Sequence, residues 1–192
     1  ATSNVAVGLS AGENVTSGDY NTIVGRQAGL TMTDTSNTVL IGSFAGDAIN
    51  HTDANGTVAI GQSALSALTS GAGNLAIGYH AMRVHTTGAS NIAIGYGAMD
   101  DTDAGSTSLG SAGNIFIGRD AGGGTWADVA SNHNVAIGTY AMDAALNGAL
   151  YNTAMGYLAL GALTEGDNNI AIGSQAGDAL TTGGDNTIIG TE

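Results

Sequence analysis

The chain has no cysteine, no proline and no lysine, and each absence removes a class of explanation. Without cysteine there is neither a disulfide framework nor a thiolate metal site, so an oxidising compartment is permitted but not demanded. Only Arg26, Arg83 and Arg119 oppose 16 acidic residues, giving a net charge of −13. That sign repels phosphate, which argues against a nucleic-acid partner and against an anionic membrane surface. Long apolar runs are missing too: no stretch approaches the roughly 20 residues that cross a bilayer, so no membrane insertion is expected. The N-terminus lacks the basic and apolar segments of a signal peptide. The sequence begins at Ala1 rather than Met, as expected of a processed chain or a piece of a longer one. Charged residues are scarce, 10% against 43% hydrophobic, a ratio with ample surface to bury and no signature of disorder.

Glycine is abundant, 32 residues of 192, and it is periodic. One glycine ends a short apolar segment at positions 8, 25, 42, 61, 78, 95, 118, 138, 156, 173 and 190, and six of the ten steps between them equal the step from Gly8 to Gly25. That recurring step defines a 17-residue frame. Self-similarity at a fixed short period is the mark of a stacked repeat. The residue before this frame glycine is always Val, Ile or Met, and the residue two places earlier is Val, Ile, Leu or Thr. In a strand these two point the same way, so they are expected to form the inward stack. Asparagine opens nine of the segments, for example Asn74, Asn91 and Asn114, and stacked coils would align it into a ladder.

Three residues after the frame glycine stands alanine in every complete coil, followed by Gly, Leu or Met and often a further apolar residue three places on, as in Leu65 with Leu68. Alanine and leucine at that spacing predict a single helical turn. A five-residue strand taken from a 17-residue coil leaves about the dozen residues that a crossover between parallel strands needs. The expectation is a mainly β chain: a parallel β-solenoid of about ten 17-residue coils, each one short strand plus a short helical turn. It forms a single repeat domain over 1–192, with longer loops at about 100–113 and 122–133, where the frame stretches between Gly95 and Gly118 and again between Gly118 and Gly138.

The middle residue of each strand is expected to face outward. It is mostly alanine, but Ile23, Leu40, Phe116 and Ile188 would be sizeable there, and a sheet apolar on both faces is usually covered on both. A second copy of the chain is the expected cover. Acidic residues five places after the frame glycine (Glu13, Asp47, Asp100, Asp143, Asp178) never fall in adjacent coils, as like charges stacked one rung apart would repel. Arg83 holds that place beside Asp100, so a rung-to-rung ion pair is predicted.

Candidate chemistry is sparse. Asp100, Asp101 and Asp103 precede Gly105 in a pattern that hard cations favour, so calcium is a possible cofactor, although the distal bidentate Glu of a full calcium loop is missing. Tyr79 and Tyr96 follow frame glycines in adjacent coils and should stack, while Trp126 lies in the second long loop. Together they are candidate residues for a cell-surface glycan, against the plainer reading of sheet-stabilising aromatics. His51, His80, His85 and His133 show no metal spacing, and neither a nucleophile elbow nor a phosphate loop is present, so no enzyme is expected.

The recurring Asn-x-Ala-Ile-Gly at 74–78, 91–95, 134–138 and 169–173 resembles the head repeats of trimeric autotransporter adhesins. The longer unit from Asn152 to Leu160, with Thr164 and Gly166, resembles repeats of phage tail-fibre proteins. The resemblance implies a homotrimeric, extracellular fibre on a cell surface or virion that projects or binds a receptor. Two alternatives stay open. One is an extracellular filament subunit stacking head to tail, since core strands open and close the sequence without polar caps. The other is an ice-binding solenoid, for which the threonines at 16, 33, 69, 86, 164 and 181 skip coils.

Overall fold

A computed structural model describes residues 1–102, 110–127 and 129–191. Eleven three-residue strands follow one another: β1 (Val5–Val7), β2 (Thr22–Val24), β3 (Val39–Ile41), β4 (Val58–Ile60), β5 (Leu75–Ile77), β6 (Ile92–Ile94), β7 (Ile115–Ile117), β8 (Val135–Ile137), β9 (Thr153–Met155), β10 (Ile170–Ile172) and β11 (Thr187–Ile189). They form one parallel sheet in chain order, each strand paired in register with the next, so that Leu75 lies beside Ile92 and Ile92 beside Ile115. This is a parallel β-solenoid of about ten turns that keeps the 17-residue frame, with Val5 beside Thr22 and Thr22 beside Val39.

The frame glycines make the corner that ends each strand. Gly78 has φ +138°, and a Cβ there would stand 2.6 Å from the carbonyl carbon of Gly95 one coil on. Backbone stacks on backbone at this corner, and only glycine leaves the room.

The expected helical turn is not formed. Among the described residues helix is confined to the 3₁₀ turn Thr52–Ala54 and to a 3₁₀ residue at Gly110, neither of them where the helical turn was expected. In the fifth coil Ala81 N–H donates to Gly78 O (3.3 Å), Met82 N–H to Ala98 O of the next coil (2.9 Å), Arg83 N–H back to His80 O (3.2 Å) and Val84 N–H to Asp100 O (3.0 Å). Local and inter-coil bonds alternate because the backbone alternates: His80 (φ 58°) and Met82 (φ 50°) are both left-handed, as are Gln27 with Gly29 and Phe44 with Gly46. A right-handed helix cannot pass through two such residues. The segment is a kinked second wall whose hydrogen bonds run along the solenoid.

The sheet also faces the opposite way from the sequence expectation. The middle residue of the strand points inward: Ala76, Ala93 and Phe116 are fully buried, while their flanking neighbours are partly exposed. The reason is width. The gap between the strand middle and the residue four places after the frame glycine takes a large side chain from one or the other, never from both; where both are small, at Ala6 with Gly12 and Ala171 with Gly177, Ile23 and Ile188 of the next coil reach over the glycine. Ile23 pairs with Gly29, Leu40 with Gly46 and Phe116 with Gly122; Ala59 pairs with Leu65, Ala76 with Met82, Ala93 with Met99, Ala136 with Met142 and Ala154 with Leu160. A Cβ on Gly46 would lie 2.9 Å from Leu40 Cδ2, inside van der Waals contact.

The asparagine ladder is present and buried. Asn91 Oδ1 accepts from the Asn114 backbone N–H (3.0 Å) and from Asn114 Nδ2 (3.1 Å), and Asn114 Oδ1 does the same for Asn134 (3.0 and 3.2 Å). Except at the last rung, Asn186, each Nδ2 also donates to a corner carbonyl of the following coil, as Asn114 does to Ser131 O (2.9 Å). The amide thus satisfies backbone groups that the chain would otherwise orphan where it enters the strand. Thr38 and Thr57 replace asparagine in the third and fourth coils, and the Thr57 hydroxyl is buried with no partner among the described residues.

Candidate functional site

Two residues of each strand are turned outward, and they line up into two columns along the whole solenoid. One column is Val7, Val24, Ile41, Ile60, Ile77, Ile94, Ile117, Ile137, Met155, Ile172 and Ile189, with no polar member. The other carries Val, Ile or Leu except at Thr22, Thr153 and Thr187. Neither column has a charged residue. Rows shield one another, so most members are partly buried, yet Ile41, Met155, Ile170 and Ile172 still keep 37 to 43% of their surface in water. A row of β-branched aliphatic residues is a good strand former, and these side chains point away from the buried core that the middle residues line.

The column just past the frame glycine borders this stripe. Here Tyr79 and Tyr96 stack as expected, ring centroids 5.1 Å apart at 14°. His80 stacks on Tyr79 (3.8 Å, 25°), and the Arg119 guanidinium lies 5.9 Å from the Tyr96 ring and 5.7 Å from Tyr140. Burial, with help from the Arg83 charge, pulls the His80 imidazole below its ordinary value, against a smaller opposing effect of Asp100. Two parallel rings on Tyr79 must take opposite faces, so its edge and hydroxyl are what it offers to solvent. A sugar ring stacked on Tyr79 would have to displace His80 or Tyr96.

Trp126 does not reach the surface. It is fully buried, donates its indole N–H to Gly122 O (3.0 Å) and packs edge-on against Phe116 (5.6 Å). The expectation of an exposed ring is corrected: the longer coil folds back so that the ring enters the core at the edge of Phe116 instead of looping out. The acidic candidates are also spent apart from one another. Asp100 accepts from Arg83 Nε (2.9 Å), the predicted rung-to-rung pair, and Asp101 accepts from the Thr125 hydroxyl (2.8 Å). Asp103 lies outside the described residues, among which no group of three or more His, Cys, Asp or Glu is placed to hold a metal ion.

Two further polar features were missed in the sequence. Burial, then the Asp120 carboxylate of the preceding coil, pushes Asp143 up to about 6. A cavity of about 280 Å³ is lined by Asn50, His51, Asp53, Thr69 and Ser70. His51 Nδ1 accepts from the Asp53 N–H (3.1 Å), capping the 3₁₀ turn. The Asp53 carboxylate is at a similar distance (3.2 Å).

Among the described residues no helix is long and apolar enough to cross a membrane. Comparison with protein-family models, with curated proteins and with solved structures returns no match.

Proposed function

We propose that the chain is a structural and adhesive fibre segment, a stiff rod held outside the cell on a bacterial surface or virion. One observation carries this reading: nearly every polar side chain that offered chemistry is used to fasten one coil to the next. The asparagines form the buried ladder, Arg83 is held by Asp100, and Tyr79, Tyr96 and Arg119 stack along the axis. His85 is buried between Thr102 (Nδ1 to Oγ1, 2.9 Å) and Gly88 O (3.0 Å). A parallel ladder reinforced in this way resists bending, which suits a spacer more than a catalyst. The repeats' resemblance to adhesin heads and tail fibres supports an assembly of three copies.

Electron microscopy of the purified chain tests the reading. Straight rods about 50 Å long, from eleven rungs at strand spacing, are expected. Flexible or collapsed particles would overturn it, and indefinitely long rods would favour the head-to-tail filament.

A further inference from the structure

The outward stripe faces away from the core of the coil. Solvent-facing residues of a sheet tolerate polar side chains freely, and an open face is ordinarily polar. Here the column beside the frame glycine is Val, Ile or Met in all eleven coils, although the connections differ in length, that from Ile94 to Ile117 being longer than that from Ile77 to Ile94. The outward aliphatics are retained where the loops are not.

We infer that this stripe is an interface and that its occupant is a second copy of the same chain; the inference rests on the fibre reading and names that fibre's lateral contact. Three observations select the occupant. The stripe is uncharged and runs the length of the solenoid, so a partner must present an apolar surface of the same length, which another copy does. Each copy carries a charge of −13, yet no acidic residue lies on the stripe, so two copies can close on it while their carboxylates stay in water. Eleven rungs at about 4.8 Å by two outward residues give a footprint of roughly 600 Å². That lies at the upper end of the roughly 300–600 Å² reached by the largest apolar patch of a single chain, a size that is often functional. With the bordering Tyr79, Tyr96 and Tyr157 column it approaches the roughly 800 Å² per partner of a stable complex.

The purely aliphatic column, centred on Ile77, Ile94 and Ile117, forms the dry middle of the contact. Thr22, Thr153 and Thr187 stand in the other column, where a rim position lets their hydroxyls keep water.

Solution mass, measured by analytical ultracentrifugation on the intact chain, tests this. The wild-type chain is expected at a multiple of 18.7 kDa. Ile94→Glu with Ile117→Glu should weaken association by about 100-fold or more, because each buries an unpaired charge, while far-ultraviolet circular dichroism stays unchanged. Ile94→Thr with Ile117→Thr repeats the test with a residue the outer face already carries, and should also shift the equilibrium toward monomer. Thr69→Glu, on the polar side, should leave the mass alone. A wild-type chain that remains a monomer at high concentration, or folded Glu and Thr variants with unchanged mass, overturns the inference. Straight monomeric rods would sink this interface and leave the fibre reading standing; flexible oligomers would do the reverse.

Discussion

Phe116 and Gly122 share one volume. A Cβ on Gly122 would lie 2.5 Å from Cε1 of the Phe116 ring, so the seventh coil holds a phenylalanine in its strand only because the second wall there has no side chain. The same exchange, read in reverse, lets Met82 occupy the space above Ala76.

A double-mutant cycle at Ala76 and Met82 makes this measurable. Ala76→Leu alone should cost about 1–3 kcal/mol by overpacking, and Met82→Gly alone about 2–5 kcal/mol by leaving a cavity. The double variant should recover much of the loss, since glycine also suits the left-handed backbone at 82 (φ 50°). Urea unfolding of all four proteins reads the coupling; additive losses would rule out a shared volume.

The asparagine ladder should be weakest where it ends. Asn114→Ala removes the acceptor for Asn134 N–H and the donor for Ser131 O, both buried, and should destabilise by about 2–4 kcal/mol. Asn186→Ala sits on the last rung, with part of its amide in water, and should cost less than about 1 kcal/mol. Equal losses at the two sites would contradict a ladder that satisfies buried backbone.

Asp143 makes stability depend on pH in an unusual direction. Its folded carboxyl holds a proton up to about 6, against 3.8 ordinarily. The folded state therefore binds more protons between about pH 4 and 6, and stability falls as pH rises through that window. The side chain is only half-buried, so solvent screening limits the effect to about 1 kcal/mol. Asp143→Asn should flatten the profile and stabilise the chain at neutral pH; a variant with the wild-type slope would assign the titration elsewhere.

Arg83→Ala tests the ion pair with Asp100. Both side chains reach water, so a loss of at most about 1 kcal/mol is expected, shrinking as salt is raised. A larger loss, unaffected by salt, would mean that the arginine stem matters more than its charge.

Features that depend on register were legible in the sequence, because the 17-residue step fixes which residues lie one above another. The strands, the asparagine ladder, the Arg83–Asp100 pair and the Tyr79–Tyr96 stack all followed from that step. Features that depend on side-chain direction were not. Val and Ile beside the frame glycine look like core by the ordinary rule, and alternation alone cannot say which face is inside. The size exchange between strand middle and second wall was the signal that decides it. The helical turn failed for a related reason: alanine followed by Leu65 and Leu68 imitates helical spacing, while left-handed Ser63 and Leu65 forbid the helix. Trp126 was misplaced because a longer coil usually means a longer loop, and here the added length fills the core.

The exchange of volume between strand and wall also sets how such a chain can lengthen. A duplication that copies whole coils, with its ends in the polar corners, carries each strand along with its own matching wall. One with ends between strand and wall would set Phe116-like strands against Met82-like walls. The solenoid is therefore extensible by inheritance only in units that begin and end at its wet edge.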